Sequence, residues 1–140
     1  MAIHFHEKEE SAGIKNKNLL KKWLKDLIVQ EHGCPGQINI VLTSDNNVLE
    51  LNKKYLSRNY LTDIITFDYT ENQVIAGDLF ISVTRVRENS EKFHVPFKME
   101  LKRVLVHGVL HPLGYGDGTK REKSLMRQME DRYLTISPEI

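Results

Sequence analysis

The segment LVHGVLHPLGYGDGT, residues 105–119, constrains this chain more than any other stretch. His107 and His111 stand four apart in an apolar run compatible with a helix. Both imidazoles therefore leave one helix face and can meet a single ion. Gly114 comes three residues after the second histidine, where a glycine can end a helix in a left-handed turn. The chain then doubles back and brings Asp117 within reach of the same ion. Three nitrogen and oxygen ligands with a fourth position open is the pattern of a catalytic zinc, Zn2+, one per chain, rather than a structural one.

Six histidines in 140 residues make a lone His-x-x-x-His pair a weak signal. The glycine turn and the acid at the right offset make it a strong one. Asp117 has a competing role as a helix cap. Thr119-x-x-Glu122 is a capping box, which assigns the cap to Thr119 and frees Asp117. Pro112 is tolerable because the helix is already ending there. His4, His6, His32 and His94 have no partner at ligand spacing and read as surface residues.

Periodicity sets out the rest of the chain. Residues 1–7 and 37–43 alternate as strands, and 63–69 and 74–82 read as two more. Residues 16–32 form an amphipathic helix with Leu19, Leu20, Trp23, Leu27 and Ile28 on one stripe. Gly33-Cys34-Pro35-Gly36 reads as a turn after it. Ser44 or Asp45 caps the next helix, and further helices are expected at about 84–93 and 97–112. The last begins at Thr119, with Leu125, Met126, Met129, Tyr133 and Leu134 on its apolar stripe. Strands and helices mix without strict alternation, which predicts an α+β fold of helices on a small sheet.

Residues 1–140 fit a single domain that needs no staples to build its core. A net charge of +1 neither demands nor excludes a nucleic-acid partner. The single cysteine, Cys34, rules out an internal disulfide and suits a reducing, cytoplasmic setting. No signal peptide and no membrane span are expected.

A metal-held water and a polarised phosphoryl or carbonyl oxygen serve both nucleases and proteases. Zinc proteases with this histidine spacing use the residue after the first histidine as general base. Here that residue is Gly108, so the peptidase reading lacks its base.

HGVLHPLGYGD resembles the HGxLHLxGYDH signature of the YbeY family of bacterial rRNA-maturation endoribonucleases. LNKKYLSRNYLTDIITF at 51–67 is similar to that family's LN..YR.KD.PTDVLSF stretch, and AGDLFISV at 76–83 to its GDI.IS strand. Together these anchor about residues 38–135 in order. Three positions depart from the pattern. Asp117 replaces the usual third histidine and remains a competent zinc ligand. Gly116 replaces an aspartate. Leu56 replaces the arginine of the YR pair, a role that cannot pass to leucine, although Arg58 is two residues away.

The resemblance implies a zincin-like fold, helices packed on a mixed β-sheet of about four strands. It implies a zinc-dependent single-strand endoribonuclease acting in rRNA maturation and quality control of the small ribosomal subunit. Ribosomal proteins and an Era-type GTPase would be its partners, and no membrane. Arg58 would hold phosphate charge, and Thr62 and Asp63 would close or orient the site. Arg58 reads more readily as a solvated helix end, and Thr62-Asp63 reads equally as a turn before a strand. The clusters Lys53, Lys54 and Arg58; Arg85 and Arg87; Lys98, Lys102 and Arg103; and Lys120, Arg121 and Lys123 could track an RNA backbone if they share a face. Glu100, Glu122, Glu130 and Asp131 interleave with them, as on ordinary solvated helices. Competing functions are an assembly factor that binds without cutting, and a zinc peptidase.

Overall fold

A computed structural model describes residues 2–140. Four strands form one mixed sheet: β1 (Ile3–Glu7), β2 (Cys34–Thr43), β3 (Ile64–Asp68) and β4 (Val74–Ser82). Their order is β1-β2-β4-β3, with β1, β2 and β4 parallel and β3 an antiparallel edge. Five helices complete the fold: α1 (Lys17–Gln30), α2 (Asp45–Leu56), α3 (Val83–Lys92), α4 (Phe97–Leu110) and α5 (Lys120–Leu134). The expected α+β architecture is what forms, helices on a four-stranded sheet.

The alternation in β2 and β4 decides which face is buried. Ile38, Ile40 and Leu42 of β2 lie beside Gly77, Leu79 and Ile81 of β4, and all are buried. This face takes α1 and α4. Leu20, Trp23, Leu24, Leu27 and Ile28 from α1 and Leu101, Leu105 and Val109 from α4 close the core against it. Burying side chains of this size stabilises the fold by about 1.5–3 kcal/mol each, before the entropy of ordering is set against it. The opposite face carries Phe67 and Phe80 in edge-to-face contact, and Tyr55 of α2 packs edge-on against Phe67.

The β3 register positions the site. Ile64 and Thr66 lie opposite Ile81 and Leu79, so they and Asp68 face α4. The helix can approach closely there because Gly108 has no side chain. A Cβ on Gly108 would meet Ile64 Cδ1 and Leu79 Cδ2 at 2.6 Å.

Three expectations are corrected. Cys34 and Pro35 open β2 instead of forming a turn. β1 pairs with β2 only from Ile38 onward, so the missing N–H of Pro35 meets no neighbouring strand, and the register shifts between Pro35 and Ile38. Leu24 takes the buried position on α1, while Leu19 is exposed. On α5, Met126 and Tyr133 are buried but Leu125 is exposed.

Candidate metal centre and its cleft

Helix α4 carries the histidines. Its apolar side faces the sheet, and Glu100, Arg103, His107 and His111 follow one another at helical spacing along the edge of that side. The helix ends where the ligands are needed. Leu110 is its last residue and His111 its cap. Tyr115 N–H donates to Leu110 O at 3.1 Å around Gly114, whose φ of 106° favours glycine. That turn sends the chain back toward α4. Thr119 then caps α5 in the predicted capping box, with Glu122 as its reciprocal partner.

The result is a triangle of donor atoms. Nε2 of His107 and Nε2 of His111 are 2.9 Å apart, and Asp117 Oδ2 is 3.3 Å from each. Tetrahedral zinc with bonds of ~2.0–2.1 Å separates its ligand atoms by roughly 3.3 Å, so the three atoms fit one such ion. Among the described residues this is the one group of histidine, cysteine or acidic side chains close enough to share a metal.

Glu130 of α5 completes the centre, and the sequence reading missed it. Its Oε2 accepts from His107 Nδ1 at 2.8 Å. A carboxylate cannot donate, so the proton sits on Nδ1 and the Nε2 lone pair points into the triangle. Its Oε1 pairs with Arg103 at 2.9 Å, and Arg103 also holds Asp131 at 2.7 Å. Burial pulls the His107 imidazole down, but Glu130, and less strongly Asp117 and Asp63, outweigh it and leave the pKa raised. The faint sequence signal was position: Glu130 is four residues after Met126 and three before Tyr133, on the buried stripe. Glu100, also buried, sits on α4 beside Leu101 and Val104. Solvated helix faces were expected for both, and neither is solvated.

The triangle opens on a cavity of about 700 Å³. Residues of α4, of the stretch 52–68, and Arg127 and Glu130 of α5 line it. Arg58, Thr62 and Asp63 line this cavity with His107, His111 and Asp117, as does Leu56. Arg58 is exposed and donates to Tyr60 OH at 3.2 Å; Thr62 Oγ1 donates to Ile64 O at 3.4 Å. Exposed Tyr60 and Phe93 stand at the rim.

Two of the four basic clusters contribute less than charge alone suggested. Arg85 is paired with Asp45 and Glu88, and Arg87 stacks on Phe97. Lys102 is buried against Ser137 and Pro138, and Lys98 binds Ile140 O. Arg103 is held by Glu130 and Asp131. Of the arginines lining the cavity, Arg58 and Arg127 have no carboxylate partner among the described residues. Arg127 was absent from the sequence-based site.

Burial raises the Asp63 carboxyl above its ordinary 3.8; His107 and the backbone N–H groups of Asp63 and Ile64 oppose this without cancelling it. The folded state therefore binds the Asp63 proton more tightly than the unfolded state. Its contribution to stability is fully present below pH 3.8 and is lost as pH rises through the higher folded value. Asp63→Asn in metal-free protein should therefore raise Tm at neutral pH, with the gain vanishing in acid. Thermal melts across pH check this, and a loss of Tm at neutral pH would contradict it.

One departure from the signature, Gly116, sits against a neighbouring side chain, and the missing protease base has a physical reason. A Cβ on Gly116 would meet Glu122 Oε2, so a side chain there would require the exposed end of Glu122 to shift. Gly108 faces the sheet rather than the cavity, so a side chain there would not reach the triangle as a base.

Known proteins resemble this chain over nearly its whole length. Residues 2–137 match the family model described as Endoribonuclease YbeY. The chain is 43% identical to Endoribonuclease YbeY of Flavobacterium psychrophilum, over 96% of this chain and 91% of the relative. It is 40% identical to the protein of that name from Parabacteroides distasonis, over 99% and 98%. The solution structure of TM1509 from Thermotoga maritima is similar, with a TM-score of 0.66 and 29% identity, over 93% of this chain and 86% of that one.

Proposed function

This chain belongs to the YbeY endoribonuclease family, and on that premise we propose that its cleft cuts single-stranded RNA with one zinc ion held by His107, His111 and Asp117. The protein is an endoribonuclease, a hydrolase, and RNA is its partner. The observation that carries the metal reading is the donor triangle lining an open cavity. Two imidazoles and a carboxylate suit zinc, and their free side faces the cavity.

When bound, such an ion polarises a phosphoryl oxygen and lowers the pKa of a water. The chain's own residues do the rest. Glu130 keeps His107 in the Nδ1–H tautomer. Arg58 and Arg127, which both line the cavity, hold the charge of the scissile phosphate and its neighbour. Asp63, its carboxyl raised by burial, takes or returns a proton at a carboxyl oxygen beside His107. Thr62 holds the backbone turn that aims Asp63 into the cleft.

The physiological reading is maturation of rRNA and quality control of the small ribosomal subunit, with ribosomal proteins and an Era-type GTPase as partners. Its support is the family. A cytoplasmic setting and a single catalytic domain over residues 1–140 belong to the same proposal. No helix among the described residues is long and apolar enough to cross a membrane.

Elemental analysis of protein purified without added metal, together with cleavage of end-labelled single-stranded RNA, tests the proposal. About one zinc per chain is expected, with cleavage that a chelator removes and zinc restores. Metal-free protein that cleaves fully would overturn the mechanism. Metal-loaded protein that binds RNA and never cuts would favour the assembly-factor reading. Binding gives a separate prediction. Arg58→Gln and Arg127→Gln should each weaken single-strand binding and flatten the plot of log K against log salt by roughly 0.7. Fluorescence anisotropy at several salt concentrations measures this, and an unchanged slope removes that arginine from the RNA path.

A further inference from the structure

Glu31 lies at the end of α1, far in sequence from the metal loop, yet it reaches that loop. Its Oε1 accepts from Tyr115 OH at 2.6 Å, and its Oε2 accepts from Tyr133 OH. Both ends of this bridge are fixed. Glu31 caps α1 through its backbone N–H to Leu27 O. Tyr133 is buried in the core, and its carbonyl accepts from Trp23 Nε1 at 3.2 Å. Tyr115 is two residues before Asp117.

Backbone bonds from Gly114 and Tyr115 to His111 O and Leu110 O hold the start of the loop, and no backbone hydrogen bond among the described residues holds 116–118. Gly116 and Gly118 flank Asp117, so the local backbone has more freedom to lose than any other pair of neighbours would give it. The Asp117 side chain is 48% exposed and meets only the two histidines among the described polar contacts. Its distance from them is therefore set by the chain on either side. Downstream the anchor is the Thr119 capping box; upstream it is Tyr115.

We propose that Glu31 and Tyr115 are positioning residues for the third metal ligand: Glu31, acting through the Tyr115 hydroxyl, holds residues 114–117 so that Asp117 Oδ2 stays on the two histidine Nε2 atoms. This rests on the metal reading of the triangle. Tyr133 anchors the other oxygen of Glu31 but does not belong to the loop, so it serves the fold and not the ligand directly.

Tyr115→Phe keeps the ring in its packing and removes only the hydroxyl. Zinc affinity, measured by competition with a chromophoric chelator, should fall about 10- to 100-fold, as for other groups that orient a metal ligand. The Tm of the metal-free protein should move by only a few degrees. Glu31→Ala should weaken zinc by a similar factor from the other end of the bridge. The double variant should be no weaker than the worse single one, because the two residues act in series. Tyr133→Phe should lower the metal-free Tm while leaving zinc affinity within about threefold. Parental zinc affinity in both Tyr115→Phe and Glu31→Ala overturns the inference. So does a loss in Tyr133→Phe equal to that in Tyr115→Phe, which would make the effect one of general stability. A parent protein that binds no zinc would instead refute the metal reading beneath it.

Discussion

His111→Ala should give a folded protein whose RNA cleavage falls at least about a thousandfold, a loss of some 4 kcal/mol of transition-state stabilisation. The reasons are geometric. His111 closes α4, and its Nε2 is one of three donors within 3.3 Å of one another. Removing it leaves one imidazole and one carboxylate, too few to hold zinc at ordinary concentrations. The side chain is 30% exposed, so truncation opens no sealed cavity and should cost only about 1 kcal/mol of stability. Folding and function thus separate in one variant. Urea melts should nearly match those of the metal-free parent, while bound zinc and cleavage of labelled RNA are lost together. Full cleavage by folded His111→Ala would remove the metal from the mechanism. Loss of zinc with RNA binding unchanged is the expected companion result, since Arg58 and Arg127 lie outside the triangle.

The ligand set was legible in the sequence because it is local. Two histidines on one helix face, a glycine that reverses the chain and an acid just beyond occupy eleven consecutive positions, so no tertiary information is needed to bring them together. The strands were legible for a similar reason: alternation in QINIVLT and VIAGDLFIS marks the buried face directly. The sheet order was not, because nothing local says that β3 should pair antiparallel at the edge beside β4.

Glu130, Arg103 and Glu100 were hidden for the opposite reason. Each sits in a charged run, and charged runs usually face water. Whether such a residue is solvated or turned inward depends on which side of its helix meets another element. That is a tertiary fact, fixed here by α5 packing on α4. The Glu31 bridge joins α1 to a loop more than eighty residues away and left no periodic trace. Pro35 misled in a different way. A proline normally breaks a strand, but at this position β2 has not yet met β1, and the absent N–H costs nothing.

The second large effect belongs to Glu130→Ala, and it should appear in stability as well as in metal binding. Glu130 is 5% exposed and serves two half-buried partners, the His107 Nδ1–H and the Arg103 guanidinium. Truncation leaves both without it. Removing one member of a buried pair typically costs 3–5 kcal/mol, and because Arg103 keeps Asp131 the loss here should be about 3. Zinc affinity should fall a further ~10- to 100-fold, since His107 is no longer held in its tautomer. The pH dependence gives an independent readout. In the metal-free parent the His107 pKa is raised, so its contribution to stability is fully present below the unfolded value and is lost as pH rises through the folded one. Without Glu130 the strongest raising influence on the imidazole is gone and only Asp117 and Asp63 oppose burial. The folded pKa then moves down and this contribution shrinks. Denaturant melts of the two metal-free proteins across the histidine range should show a smaller slope from His107 in the variant. Glu130→Gln removes the charge while keeping an acceptor for Nδ1–H, so it should retain more zinc affinity than Glu130→Ala. Equal zinc affinity in the parent and both variants would show that His107 does not depend on Glu130 for its orientation.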